Sequence, residues 1–417
     1  MVDDPMNIRG LKRYATEHME YSYRPRKADA TQKHIAIIGG GPAGLSAAYY
    51  LSLMGHQATI FEARHQLGGM LRYGIPPYRL PRNLLDAEIN WVVEQGIKVV
   101  CDRKIDASAF QQLADSCDSI YIAIGAHQDR KLGLAGEDNP AVISAVQMLR
   151  NIGDNHAPDF TAKRICVIGG GNVAMDAARS AVRLGASHVQ VVYRRRISDM
   201  TAQDEEIVGC QAEGCEILQL QKPLSIECDS KGMLKGVLVQ PQIIGGPQRG
   251  RPAPRDADSD PLLLEADIVI VAIGQSIESA PFEQLGIKTD RGRIVCEADG
   301  SVPGFSGLFC GGDCQSGPAT VIRAINAGKV AAGNIDSYLG YEHKINLDVE
   351  IPTVQFRGKV ACARCDMTLR NSKERIKDFD GIELGLTDEE AHQEASRCLR
   401  CDHFGFGALR GGRVEQW

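Results

Sequence analysis

No apolar run in this 417-residue chain approaches the roughly 20 residues that a membrane-spanning helix needs, so no such helix is expected. An excess of basic residues is also missing. The formal net charge of −6 argues against nucleic acid or an anionic membrane surface as partner. The first residues, Met1-Val2-Asp3-Asp4-Pro5, lack a basic stretch followed by an apolar core, so no secretion signal is read there and a cytoplasmic location is expected. Residues 1–361 hold no Cys-x-x-Cys pair, which argues against a thiol–disulfide reaction beside a bound nucleotide. Cys210 and Cys215 are separated by four residues rather than two. They are expected on a helix as packing residues, and Cys310 and Cys314 as packing too. Of 13 cysteines, all but the last four are scattered and read as reduced core thiols.

Against these absences stand two glycine fingerprints. Gly39-Gly40-Gly41-Pro42-Ala43-Gly44 follows the apolar run His34–Ile38, and Gly169-Gly170-Gly171-Asn172-Val173-Ala174 follows Arg164–Ile168. Each reads as strand, tight turn and helix start, the context in which G-x-G-x-x-G binds a dinucleotide. The first glycine makes the turn, the second lets a pyrophosphate approach the backbone, and the third lets helix and strand pack closely. Ala174 replaces the third glycine in the second copy. Each copy is followed much later by an Ala-Ile-Gly strand end, Ala123-Ile124-Gly125 and Ala272-Ile273-Gly274.

The two copies differ where the second strand of each ends. In the first, Glu62 stands 18 residues after Gly44, placed to accept hydrogen bonds from a ribose 2′-hydroxyl. In the second, Tyr193-Arg194-Arg195-Arg196 stands in its place. Arginines there suit a 2′-phosphate through bidentate hydrogen bonds, which favours NADP(H) over NAD(H).

Four further stretches complete the reading. Residues 1–33 form a polar arm with a short helix around Ile8–Tyr21. Residues 216–264 alternate like strands and carry a Gly/Pro/Arg-rich tip at Gly245–Arg255, a surface hairpin or loop. Residues 346–417 are a charged tail with a helix near Asp388–Cys398. Within it, Cys362-Ala363-Arg364-Cys365 and Cys398-Leu399-Arg400-Cys401 form two Cys-x-x-Cys pairs 32 residues apart, ligand spacing for an all-thiolate iron–sulfur or zinc site.

Two more segments carry a family resemblance: Gly68-Gly69-Met70-Leu71-Arg72-Tyr73-Gly74-Ile75-Pro76-Pro77-Tyr78-Arg79-Leu80-Pro81 and Gly307-Leu308-Phe309-Cys310-Gly311-Gly312-Asp313. With the fingerprints they resemble the small (beta) subunit of glutamate synthase and its relatives, including the large subunit of NADH-dependent ferredoxin:NADP oxidoreductase. The resemblance covers about residues 8–345. It implies an FAD site that takes in Gly39, Gly41, Pro42, Ala43, Gly44, Glu62 and Arg64, then Gly69, Met70, Leu71, Arg79 and Gly125. Asp313 after Gly312 would hold the flavin ribityl chain. Gly317-Pro318-Ala319-Thr320, with Val321, would open a helix aimed at the flavin ring. It implies an NAD(P) site of Gly169, Gly171, Asn172, Val173, Ala174, Tyr193, Arg194, Arg195 and Gly274. Met200-Thr201-Ala202 departs from the family's Met-Pro-Ala.

In the tail, Glu390–Cys398 resembles the opening of the family's ferredoxin-like module, and Arg375–Phe379 its lead-in. That module usually lies at the N-terminus and continues with further cysteines. Here Cys362 and Cys365 are taken to replace them, giving Cys362, Cys365, Cys398 and Cys401 as ligands of one [4Fe–4S] cluster, with structural zinc as the rival.

The fold expected is α/β, with two Rossmann-like domains and the NAD(P) domain inserted in the FAD domain. The FAD domain takes 34–130 and 290–345, the NAD(P) domain 131–289, and the cysteine segment 346–417. Hydride transfer between two bound cofactors needs orientation more than acid–base groups, so no catalytic side chain is expected. The implied role is an NAD(P)H oxidoreductase subunit in a hetero-oligomer with iron–sulfur or flavin subunits. Candidate settings are an electron-bifurcating transhydrogenase, hydrogenase or formate dehydrogenase complex. A free-standing NADPH:ferredoxin reductase and a glutamate synthase small subunit are the alternatives.

Overall fold

The computed structural model describes residues 4–19, 24–248, 251–345 and 362–398, without the side chains of 247–252. After α1 (Ile8–Glu17), the first unit runs β1 (His34–Ile38), α2 (Pro42–Leu53), β2 (Gln57–Phe61), α3 (Met70–Tyr73), α4 (Arg82–Val93), β3 (Lys98–Val100), α5 (Ala107–Ser116), β4 (Ser119–Ile122) and β5 (Gln128–Asp129). The helix expected over Ile8–Tyr21 ends at Glu17, and Tyr21 lies outside the described residues.

The second unit runs β6 (Val142–Ser144), α6 (Ala145–Gly153), β7 (Arg164–Ile168), α7 (Asn172–Arg183), β8 (His188–Tyr193), α8 (Asp204–Ala212), β9 (Glu216–Gln219), β10 (Gln221–Cys228), β11 (Leu234–Gln248), β12 (Arg251–Asp256), β13 (Leu262–Glu265) and β14 (Ile268–Val271). The chain then returns through β15 (Gln275–Ser276), α9 (Ala280–Glu283), β16 (Thr289–Asp290), β17 (Arg293–Ile294), β18 (Leu308–Cys310), α10 (Asp313–Ser316) and α11 (Val321–Tyr338). It ends in α12 (Ser372–Arg375) and α13 (Asp388–Ser396).

Two parallel sheets carry the units, ordered β18-β4-β1-β2-β3 and β6-β14-β7-β8-β9. In each, the strand before a fingerprint, β1 or β7, lies in the middle. The chain crosses to one neighbour and later to the other, which opens a crevice at the carboxyl ends of the strands. Strands buried on both faces read as continuous apolar runs rather than alternating ones. That is why Ile35–Ile38 and Ile165–Ile168 are buried throughout. In the first unit Ile35 and Ile37 pack with Leu51 and Ile335 on one face. Ala36 and Ile38 pack with Phe110 and Phe282 on the other.

Two expectations change. The second part of the first domain begins before residue 290: β15 pairs with β5, and Phe282 packs edge-to-face on Phe110 at 6.1 Å between ring centres. Ile287 joins the same core, so apolar burial draws the chain back to the first sheet directly after Gly274. Cys210 alone of its pair is helical. Helix α8 ends at Ala212, ahead of Gly214 at φ +91°, and both thiols are buried in the second core. Of the hairpin or loop expected at the Gly/Pro-rich tip, the structure has the hairpin, with β11 and β12 antiparallel.

The polar arm and the cysteine tail form one layer rather than two separate segments. The Asn7 amide donates to Glu394 Oε1 at 2.6 Å, and Arg13 Nη1 pairs with Glu383 at 3.0 Å. The tail in turn grips both dinucleotide units. The Ile382 amide donates to the Tyr78 carbonyl at 3.0 Å, and Arg375 Nε donates to Glu213 at 2.7 Å.

Candidate functional site

The first glycine turn is built by close approach. Gly39 sits at φ +110°, and a Cβ there would lie 2.4 Å from the Ala123 carbonyl oxygen; one on Gly44 would lie 1.9 Å from that of Gly39. Gly41 differs, because a Cβ on it would meet nothing nearer than Gly69 Cα at 3.7 Å. Its outer side opens into a cavity, and no side chain caps the start of α2. Free amides at a helix start, faced by open space, form an anion cradle. Glu62 accepts the Gly40 amide at 2.7 Å and the Arg64 amide at 2.9 Å, so it braces the turn from below. Burial pushes its carboxyl up from the ordinary range. Each oxygen retains a lone pair for a ribose hydroxyl.

Two connected cavities flank this turn. The outer one is lined by Gly39, Glu62, Arg64 and Gly69. The inner one, about 300 Å³, is lined by Gly41, Pro42, Ala43, Met70, Leu71, Arg79, Gly125, Asp313, Ala319, Thr320 and Val321. They share Gly41, Ala123 and His127. Gly44 and Gly312 shape the walls without lining the space; a Cβ on Gly312 would stand 2.9 Å from that of Ala43. Helix α11 starts at Val321 with no side-chain cap on its amides. Its positive end thus faces the inner cavity. The elongated, phosphate-ready shape fits FAD.

The second cradle repeats the geometry with different charge. Gly169, at φ +153°, would place a Cβ 2.3 Å from the Ala272 carbonyl oxygen, whereas one on Gly171 would meet nothing nearer than Thr201 Oγ1 at 3.4 Å. A cavity of about 620 Å³ is lined by Gly169, Gly171, Asn172, Val173, Tyr193, Arg194, Arg195 and Gly274. Ala174 is fully buried in the helix–sheet contact, as a third-position residue should be. The Tyr193 ring closes over Gly170 and its hydroxyl donates to the Asp199 carbonyl at 2.8 Å. Arg196 turns away to Asp199 at 2.9 Å. Among the described residues no carboxylate lines this cavity, while Lys222 adds a third cation. That donor set fits a nicotinamide dinucleotide with a 2′-phosphate.

Asn172 and Val173 line both the second cradle and the inner cavity of the first. Behind this common wall lies a buried charge network that the sequence reading did not contain. Arg79 lines the inner cavity, but its guanidinium is held by Asp176 at 2.9 Å and Glu206 at 3.0 Å. Burial pushes the Asp176 carboxyl up to about 6, against the pull of Arg79. Arg179 and Arg183 bind Glu213 at 2.8 and 2.6 Å, and both guanidinium groups lie over the Tyr78 ring. His127, Asp176, Gln203 and Gln275 also line the inner cavity. Isolated polar residues in loops and helix interiors give no spacing signal, so only the fold brings them in.

In the tail, the Cys362 thiol lies 3.8 Å from the Gln393 carbonyl and 3.8 Å from Ser396 Oγ, two residues before Cys398. The Cys365 amide donates to Glu394 at 2.9 Å. Cys401 lies outside the described residues. Among the described residues one cluster of metal-type side chains lies elsewhere: His56, Asp336 and His343, whose facing atoms already pair with one another.

Two Rossmann-like units, one inserted in the other, with cradles meeting at one wall define a pyridine-nucleotide oxidoreductase with two dinucleotide sites. The profile described as pyridine nucleotide-disulphide oxidoreductase matches residues 33–328, and the chain belongs to that family. It is 34% identical to the NADP(+)-dependent formate dehydrogenase subunit beta of Moorella thermoacetica, over 98% of this chain and 64% of that one. It is 31% identical to the NADPH-Fe(3+) oxidoreductase subunit beta of Geobacter sulfurreducens, over 98% and 67%. The glutamate synthase resemblance holds as well. The glutamate synthase [NADPH] small chain of Halomonas elongata is 30% identical, over 80% of this chain and 74% of that one. The chain thus spans about two thirds of the length of the first two relatives. In fold it is similar to FprA from Mycobacterium tuberculosis, with a TM-score of 0.65 at 19% identity over 74% of this chain and 85% of that one. Among the described residues no helix is long and apolar enough to cross a membrane.

Proposed function

We propose that this chain is the FAD- and NADP(H)-binding subunit of a larger oxidoreductase, exchanging electrons between NADP(H) and iron–sulfur centres of partner subunits. The observation that carries this is the common wall at Asn172 and Val173, which brings the inner ends of the two cradles together. Bound flavin supplies the conversion between a two-electron hydride and single electrons.

The chain's own residues hold and orient. Glu62 takes ribose hydroxyls, the open amides at Gly41 and Gly171 take phosphates, and Arg194 with Arg195 take the 2′-phosphate. Asp313 borders the inner cavity, where a carboxylate suits the ribityl hydroxyls. The uncapped start of α11 favours negative charge on the reduced ring. Arg79 ties the first unit to Asp176 and Glu206 of the second, which fixes the approach of the two ring sites.

The relatives in formate dehydrogenase, Fe(3+) reductase and glutamate synthase are all named as subunits or a small chain, which supports a hetero-oligomer. In the tail, Cys362, Cys365, Cys398 and Cys401 are assigned to one [4Fe–4S] cluster that leads electrons outward. Metal analysis and an anaerobic ultraviolet-visible spectrum, before and after NADPH, test the whole reading. Flavin bands that bleach with NADPH more readily than with NADH, plus four irons per chain, are expected. Absence of flavin overturns the function; stoichiometric zinc without iron overturns the cluster alone.

A further inference from the structure

One wall of the inner cavity is held by a side chain that does not line it. Met70, Leu71, Gly74, Ile75 and Arg79 line the cavity, and all belong to the segment between Gly69 and α4. That segment cannot satisfy its own backbone. Helix α3 lasts a single turn. The Gly74 and Ile75 amides both donate to the Met70 carbonyl, and Pro76 and Pro77 have no N–H to give. The carbonyls of Leu71 and Arg72 are therefore left at a helix end without the amides that would continue the turn. A carbonyl held away from water in this way costs free energy unless another donor reaches it.

Arg82, the first residue of α4, supplies the donors. Its Nη1 donates to the carbonyls of Leu71 at 3.1 Å and Leu80 at 3.2 Å, and its Nη2 to those of Arg72 at 2.7 Å and Ile75 at 2.8 Å. The planar fork of a guanidinium has enough N–H groups for all four, whereas a lysine offers three on one point. The charge itself is not matched. Arg72 has Asp86, and Arg79 has Asp176 and Glu206, but among the described residues no carboxylate pairs with Arg82. Asp86 acts on it only at longer range. Burial, with Arg72 beside it, brings the guanidinium down to about 10, so it stays charged at ordinary pH.

We propose that Arg82 is a positioning residue for the flavin: it fixes the wall from Met70 to Arg79 against the ring and sets an unpaired positive charge behind that wall. The inference rests on the reading of the inner cavity as the flavin site. The wall governs how the ring meets a nicotinamide arriving past Asn172 and Val173, and a misplacement of about 1 Å costs roughly a hundredfold in rate. The charge favours the reduced, anionic ring over the oxidised one.

The test compares Arg82→Gln and Arg82→Lys with wild type, each as the full chain loaded with FAD. The flavin midpoint potential is measured by equilibration with a redox dye, flavin bleaching by NADPH in anaerobic stopped flow, and NADPH affinity by titration. Arg82→Gln should make the potential more negative and slow bleaching about tenfold to a hundredfold. NADPH affinity, set at the second cradle, should not change, which also reports that the variant is folded. Arg82→Lys keeps the charge but not the four-bond fork, so it should slow bleaching while the potential stays near that of wild type. Bleaching at the wild-type rate in both variants overturns the positioning role, even where their melting points fall. A potential that drops as far in Arg82→Lys as in Arg82→Gln, or in neither, overturns the role of the charge. Should Arg82→Gln fail to fold, Arg82→Lys decides alone: slowed bleaching supports the proposal and the wild-type rate overturns it. Wild-type chain that takes up no FAD overturns the assignment of the cavity instead.

Discussion

Arg79 Nη1 lies 2.9 Å from Asp176 Oδ2, and this ion pair crosses the seam between the two dinucleotide units. Asp176 is 5% exposed at the side chain and Arg79 23%, so the pair is largely desolvated. Glu206 on the same guanidinium makes the arrangement a three-member lock. Breaking a buried pair from one side is costly, because the other charge remains in the protein without its partner.

The lock gives the protein an unusual pH response. The Asp176 carboxyl titrates near 6 in the folded chain, above the ordinary 3.8. Between those values the folded state binds the extra proton, so stability falls as pH rises through the window and then levels off. The size is on the order of 3 kcal/mol for a two-unit shift. Denaturant melts from pH 4 to 7 should show this slope in wild type, and Asp176→Asn should flatten it.

Glu213 responds in the opposite direction. Burial alone would raise its carboxyl, but Arg179 and Arg183 outweigh it and bring it to about 2. Its stabilisation is present above the unfolded value near 4.5 and is lost as pH falls toward 2. Glu213→Gln leaves Arg179, Arg183 and Arg375 short of a counter-charge and should cost about 3–5 kcal/mol. Arg375→Ala removes the tail's link to the second unit and leaves the Ile382–Tyr78 bond to the first. It should release residues 362–398 to limited proteolysis while the two units keep their melting point.

Gly328 lies where α11 crosses α2, and a Cβ there would stand 2.1 Å from the Ala43 carbonyl oxygen. Gly328→Ala must push the helices apart at the point where Ala43 lines the inner cavity. Overpacking of this kind costs about 1–3 kcal/mol. The variant should melt several degrees lower and lose flavin on gel filtration.

Arg194 and Arg195 line the second cradle without a carboxylate beside them. Arg194→Ala with Arg195→Ala should weaken NADPH by about a hundredfold, the worth of two charge-assisted contacts. NADH, which lacks the 2′-phosphate, should bind as before. Titration of both nucleotides by protein fluorescence would measure the ratio.

Much of the site was legible because its chemistry is local. Gly39, Gly41 and Gly44 sit within six residues, and strand, turn and helix follow from their spacing. Glu62 and Arg194 could be placed because each directly follows the strand after its fingerprint. Arg79 was legible only as a residue at the flavin cavity. Its partner Asp176 is 97 residues away, on a helix whose periodicity reads simply as core. His127 gave no signal either, since only the fold brings it to the wall that both flanking cavities share.

The sequence by itself determined the turns, the order of strands and helices, and the sign of charge at each cradle, because these depend on residues within a few positions of one another. The tertiary structure decided which surfaces meet. It set Asn7 against Glu394, 387 residues apart, and so made one layer of the arm and the cysteine tail. It also aligned the two cradles along Asn172 and Val173. Such contacts arise from burial of whole faces and pairing of desolvated charges, which no short stretch of chain encodes.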